Sequence, residues 1–171
     1  MADYNRWMNA KVYRSAETLS DADLQVDRGA FFSSILGTLN HILVADTVWL
    51  KRFANHPARF SALQSMHQVD APSSLTLILH TSFSDLANAR RLMDESIIQF
   101  CAEASDDDYS EDVHYTNTEG QPFVNEFGML VQHFFNHQTH HRGQATTLLS
   151  QSGLDVGTTD LVMMLRERST R

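Results

Sequence analysis

Only three prolines, Pro57, Pro72 and Pro122, interrupt a chain of 171 residues that holds just seven glycines. A helix interior tolerates neither residue well, so their scarcity leaves room for long helices. Hydrophobic spacing fills that room. In residues 4–19, Trp7, Met8, Val12, Ala16 and Leu19 recur at helical intervals. Residues 33–54 carry the strongest helical pattern and stop before Asn55-His56-Pro57. A polar connection then runs to Pro72, and Ser73 or Ser74 caps a third helix from Leu75 to about Glu103. Residues 113–123 predict a short hairpin turning at Glu119-Gly120. Asn125 caps a fourth long helix that reaches Gln151 and is stopped by Ser152-Gly153, and residues 158–168 add a short terminal helix. The expected fold class is all-α: one domain over residues 1–171, built as an up-and-down four-helix bundle, which buries such stripes most simply.

Charge narrows the partners. The chain carries 13 Lys and Arg against 21 Asp and Glu, a formal charge of −8. Such a surface repels phosphate backbones and anionic lipid, so neither nucleic acid nor membrane is expected as a partner. Cys101 is the only cysteine and cannot form an internal disulfide, and no apolar signal core opens the chain. A cytoplasmic location is expected.

Four of the nine histidines fall within "HFFNHQTHHRG", residues 133–143. On a helical wheel with His137 at zero, His141 lies at about 40°, inside an arc filled by Leu130, Phe134, Ala145 and Leu148. His133 sits at about −40° and His140 at about −60°, toward solvent. His137 and His141 therefore stack one turn apart and face the bundle interior. Chance supplies about half of one such spaced pair in a chain with this many histidines, and a lone pair says little. Two overlapping pairs on an apolar stripe say more, because buried imidazoles without partners are costly. Two readings stay open at this point: core histidines bonded to neighbouring helices, or ligands that share a cation. A third ligand has to come from another helix, and His41, which interrupts the apolar "LNHILVADTVWL", is the candidate. Three neutral imidazoles suit a divalent transition metal, zinc or nickel before iron or manganese, and leave coordination positions open. His56, His67, His80 and His114 lie among polar neighbours or in loops and read as surface residues.

"YNRWMN", "LNHILVADTVWL" and "HFFNHQTHHRGQ" together resemble the three motif regions of the DinB family, part of the wider DinB/YfiT-like group of metalloenzymes. The resemblance spans roughly residues 4–151, and its "NH-x-x-x-HRGQ" segment is the specific part. It implies a four-helix bundle, a homodimer and a divalent metal held by three histidines, which fall here on His41, His137 and His141. It also implies chemistry on a small-molecule substrate: activation of a low-molecular-weight thiol for transfer, or of water for hydrolysis, with the thiol route favoured by characterised relatives. The name reflects damage-inducible expression and implies no DNA chemistry. The rival from another class is a non-catalytic metal- or ligand-binding stress-response bundle. No catalytic residue and no general base is assigned.

The remaining polar residues read more plainly. Asp46 lies about 140° round from His41, too far to be a ligand, and is expected to pair with an arginine. Arg142 is expected in a salt bridge, Gly143 in close packing against another helix, and Gln144 in a hydrogen bond. Asn40 and Asn136 each precede a proposed ligand. Trp7, Trp49 and Phe134 are expected in the core or lining a pocket, and Cys101 is expected to be inert.

Overall fold

The computed structural model describes residues 1–169. Seven helices and one hairpin follow in the order α1 (Ala2–Ala16), α2 (Asp21–Gln25), α3 (Ile35–Phe53), α4 (Phe83–Glu103), α5 (Asp106–Tyr109), β1 (Asp112–Thr116), β2 (Pro122–Glu126), α6 (Phe127–Gln151) and α7 (Leu161–Ser169). A 3-10 helix, Ser61–Gln68, lies between α3 and α4. The long helices α1, α3, α4 and α6 form the expected four-helix bundle, with the hairpin and the terminal helix where the sequence placed them.

Its connectivity is less simple than a plain meander. Phe53 packs on Phe100 while Asp46 meets Arg90, so α3 and α4 run parallel. Asn5 reaches Asp94 and Tyr13 stacks on Phe83, so α1 opposes α4. Phe53 contacts Phe127 and Phe134 while His41 faces His141, so α6 opposes α3. The directions are up, down, down, up. Residues 54–82 must therefore travel the length of the bundle before α4 begins.

That crossover explains the largest boundary error. The third helix was expected from Leu75 but starts at Phe83, after Ser82. Ser74 does accept a hydrogen bond from the Thr76 amide at 3.1 Å, as a cap would, yet no helix follows. Two side chains of α3 hold the strand of chain beyond it. Asn40 bonds both the amide and the carbonyl of His80 at 3.0 Å, and His41 Nδ1 donates to the Leu75 carbonyl at 2.8 Å. Tertiary hydrogen bonds here outweigh a local capping signal. Asn125 is likewise no cap: it pairs with Val113 in the hairpin, and the first amide of α6, on Phe127, donates instead to the Glu111 carbonyl at 2.8 Å. The hairpin turn itself falls as expected, with Gly120 at a φ of 79° and Asn117 Oδ1 accepting from the Glu119 and Gln121 amides. α3 is capped by Ser34, whose hydroxyl accepts from the Gly37 amide at 3.0 Å.

The core is two apolar halves with a polar floor between them. One half gathers Met8, Val12, Leu36, Leu39, Leu86 and Leu148; the other is aromatic, around Phe53, Phe60, Phe100, Phe127 and Phe134. Between them every long helix contributes buried polar side chains: Asn5 and Asn9, Asp46, Arg90 and Asp94, Gln138 and Arg142. Arg90 bridges Asp46 at 2.5 Å and Asp94 at 3.0 Å. Gln138 Nε2 donates to Asp46 at 2.6 Å, and Asn5 and Asn9 donate to Asp94. Two carboxylates and two guanidiniums make the layer neutral. Asp46 thus pairs with an arginine as expected. Arg142 does not form its expected salt bridge: it donates to the side-chain oxygens of Asn5 and Asn9 and to Thr139, and among the described residues no carboxylate lies within salt-bridge distance of it.

Among the described residues no helix is long and apolar enough to cross a membrane. α7 is held against α1 by Trp7, whose indole donates to Glu167 at 2.9 Å, and by buried Met164. Trp7 is therefore remote from the histidines, and Phe134 is core.

Candidate metal centre

Helix periodicity brings His137 and His141 to one side of α6, and the antiparallel packing of α3 sets His41 against them. The Nε2 atom of His41 stands 3.3 Å from Nε2 of His137 and 3.2 Å from Nε2 of His141. Among the described residues this is the one group of three or more histidine, cysteine or acidic side chains whose donor atoms converge, all within 4.8 Å. His41 is buried and the other two are half-buried. His133 and His140 are exposed, as their wheel angles predict.

The outer nitrogens decide what the inner ones can do. A carbonyl only accepts, so the Leu75 carbonyl fixes the His41 proton on Nδ1 and leaves Nε2 as a bare lone pair. His141 Nδ1 lies 2.7 Å from Gln144 Oε1, which fixes the same tautomer there. Two lone pairs 3.2 Å apart repel unless something positive lies between them. Nitrogens about a tetrahedral ion at about 2.0–2.1 Å would stand about 3.3 Å apart, which matches the two spacings from His41. The donor set fits a divalent transition metal.

Burial keeps all three rings in the form that binds one. It lowers the pKa of His41, of His141 and most of all of His137, which falls to about 3 with the neighbouring rings His141 and His41 adding to the effect. Neutral imidazole is the metal-binding form.

Phe32 walls one side, stacked on His41 at 3.8 Å between centroids and edge-on to His141 at 5.5 Å. It is placed there by an irregular turn in which Ser33 has a φ of 60°. The Phe32 carbonyl leans so close to α3 that a Cβ on Gly37 would meet it at 2.1 Å, so only glycine fits that position. On the other side Trp49 packs against His133 at 5.1 Å, and His133 against His137 at 5.9 Å. Phe32 carried no sequence signal, since two adjacent aromatics in an irregular turn, Phe31 and Phe32, do not show which of them faces inward.

Three expectations need correction or sharpening. His56 is not a surface residue: it is buried, with its ring stacked on Phe60, Nδ1 accepting from the Ala58 amide, and Nε2 3.7 Å from Glu111. Gly143 is not packed against a helix, because a Cβ added there would meet nothing within 4 Å. Gly143→Ala should therefore raise stability by about 1 kcal/mol through helix propensity alone; a loss of stability in urea unfolding would reveal a contact not seen here. Asn40 joins α3 to the crossover, whereas Asn136 is exposed. Cys101 is partly buried, and that burial pushes its thiol up to about 11, in keeping with an inert residue.

Comparison with known proteins agrees with this architecture. The chain is similar to the protein DinB of Bacillus subtilis (strain 168), 22% identical over 163 residues that cover 95% of this chain and 90% of that one. A crystal structure of a DinB-like protein from Bacillus cereus ATCC 10987 superposes with a TM-score of 0.61 at 20% identity, over 90% of this chain and 91% of that one. The profile of the DinB family matches residues 1–170. The chain belongs to the DinB family.

Proposed function

We propose that His41, His137 and His141 hold one divalent transition-metal ion per chain, zinc or nickel before iron or manganese, and that the site is catalytic toward a small molecule. The observation that carries this reading is the convergence of three Nε2 atoms, two of them with their protons locked on the far nitrogen. When bound, such an ion supplies Lewis-acid chemistry, lowering the pKa of a thiol or water that reaches its open face. Family membership favours the thiol, as transfer from a low-molecular-weight cosubstrate to an electrophile. The chain's own residues orient and shield. Leu75 and Gln144 fix the ring planes of His41 and His141, and Phe32 keeps water from one flank. No carboxylate joins the cluster among the described residues, so three neutral ligands leave the ion its full charge.

Elemental analysis should find close to one ion per chain. In cobalt-substituted protein, a small thiol should add a sulfur-to-metal charge-transfer band. Metal-free protein from metal-replete medium would sink the whole reading, and metal without a thiol response would leave only the hydrolytic branch. Gln144→Ala should weaken metal affinity about 10–100-fold by freeing the His141 ring, whereas His140→Ala, pointing outward, should leave metal content unchanged. We also propose a homodimer in the cytoplasm; a mass near 19.4 kDa by light scattering at micromolar concentration would remove the dimer.

A further inference from the structure

A cavity of about 1240 Å³ opens between the C-terminal half of α3, the crossover and the hairpin. Lys51, Arg52, His67 and His114 line it, and among the described residues on its wall there is no carboxylate. In a chain with 21 acids against 13 Lys and Arg, that wall is unusual. Its two cations differ in what they already do. The Lys51 ammonium donates to the carbonyls of Met66 and Val69 and so ties down the crossover. Arg52 has no such task. Its guanidinium carbon lies 4.5 Å from the Trp49 ring and 5.1 Å from the Tyr115 ring, and among the described residues nothing accepts its hydrogen bonds. Two aromatic faces fix its plane while its N–H donors remain unspent. A guanidinium held in this way is preorganised for a planar, two-pronged acceptor.

The cavity also borders the triad. Leu75, whose carbonyl accepts from His41, is part of its wall. Arg52 follows His41 by eleven residues, about 16 Å along α3 and about 20° round it. Trp49, on which Arg52 lies, touches His133, which touches His137.

We propose that this cavity binds the carboxylate of a small organic acid, with Arg52 as its anchor. The site stands on its own geometry, and it would serve the proposed metal centre by holding the acid end of a substrate or cosubstrate beside it. Apolar Val48, Pro72 and Phe123 line the same space and suit a hydrocarbon body between the two ends.

The test follows Trp49 fluorescence in a Trp7→Phe background during titration with 4-phenylbutyrate or its neutral amide. The acid should bind saturably and at least about tenfold more tightly than the amide, a gap that shrinks as salt rises. Arg52→Gln should erase the difference and Arg52→Lys should restore part of it, with circular dichroism confirming the fold of both. His137→Ala, which empties the triad, should keep the preference for acid. Equal binding of acid and amide, no saturable response to millimolar acid, or an unchanged preference in Arg52→Gln would overturn the proposal. Protein that holds its ion but ignores the acid would sink the anion site and spare the metal centre; metal-free protein that prefers the acid would do the reverse.

Discussion

His137→Ala protein should purify folded and without metal, whereas native protein should carry close to one ion per chain. His137 is the middle ring of the cluster, 3.3 Å from His41 through Nε2 and next to His141 on its own helix. Zinc in structural sites binds with about 10–16 kcal/mol shared among its ligands, so one imidazole in three or four is worth about 3 kcal/mol or more, a loss above about a hundredfold. His141→Ala and His41→Ala should behave alike, since each removes one vertex of the same face. The fold should survive, because His137 is half-buried and the loss of its ring leaves both apolar halves of the core untouched. Elemental analysis after mild chelation reads the result. Full retention in any one of the three variants would remove that residue from the site.

The second large effect lies one layer deeper. Asp46→Ala should cost about 3–5 kcal/mol of folding stability, out of the 5–15 kcal/mol that a domain of ordinary size possesses. The carboxylate is buried and bonded by Arg90 and Gln138. Its removal leaves the layer with two guanidiniums and one carboxylate, Asp94, which pairs with Arg90, and so with an uncompensated positive charge out of reach of water. Burial pushes the Asp46 carboxyl up, and the Arg90 guanidinium pulls the other way; the neutral layer depends on that pairing. Urea unfolding of chelated protein is the measurement, because bound metal would mask part of the loss. A change below about 1 kcal/mol would mean that the buried charges are not coupled as drawn. The layer also limits sliding. Its pairs close at a single vertical offset of α3 against α4 and α6, so a one-turn slip of α6 would break Gln138 from Asp46 and carry His137 and His141 out of line with His41.

Some of this was legible and some was not. The triad could be read because helix periodicity is strict: two histidines four apart share a face wherever the helix begins, and beside such a pair a lone histidine in an apolar run, ordinarily a satisfied core residue, becomes a candidate third ligand. Helix ends were harder. Leu75 looked like the start of α4 because Ser74 is a good local cap, but Asn40 and His41 claim that stretch of backbone from a distance, and sequence spacing cannot show such claims. The polar floor leaves a trace in the sequence. Asn5 and Asn9 fall on the stripe of Met8, Val12 and Ala16, and Gln138 and Arg142 fall on that of Phe134, Ala145 and Leu149. Polar residues in step with an apolar stripe are a layer in waiting. Arg142 was assigned a carboxylate and found two amides because its partner helix offers asparagines at that height. His56 gave no signal at all; its place beside Pro57 suggests a loop tip, and only the aromatic cluster around Phe60 and Phe127 buries it.

Because α3 and α4 point the same way, the backbone between them lies along the outside of the barrel of helices like a seam, stitched to it at Leu75 and His80. Loading the centre with an ion should tighten that stitching, since the ring that grips the ion also grips Leu75. Amides from about 73 to 82 should then exchange with deuterium more slowly in loaded protein than in stripped protein, so that a strip of chain contributing no ligand reports whether the centre is full.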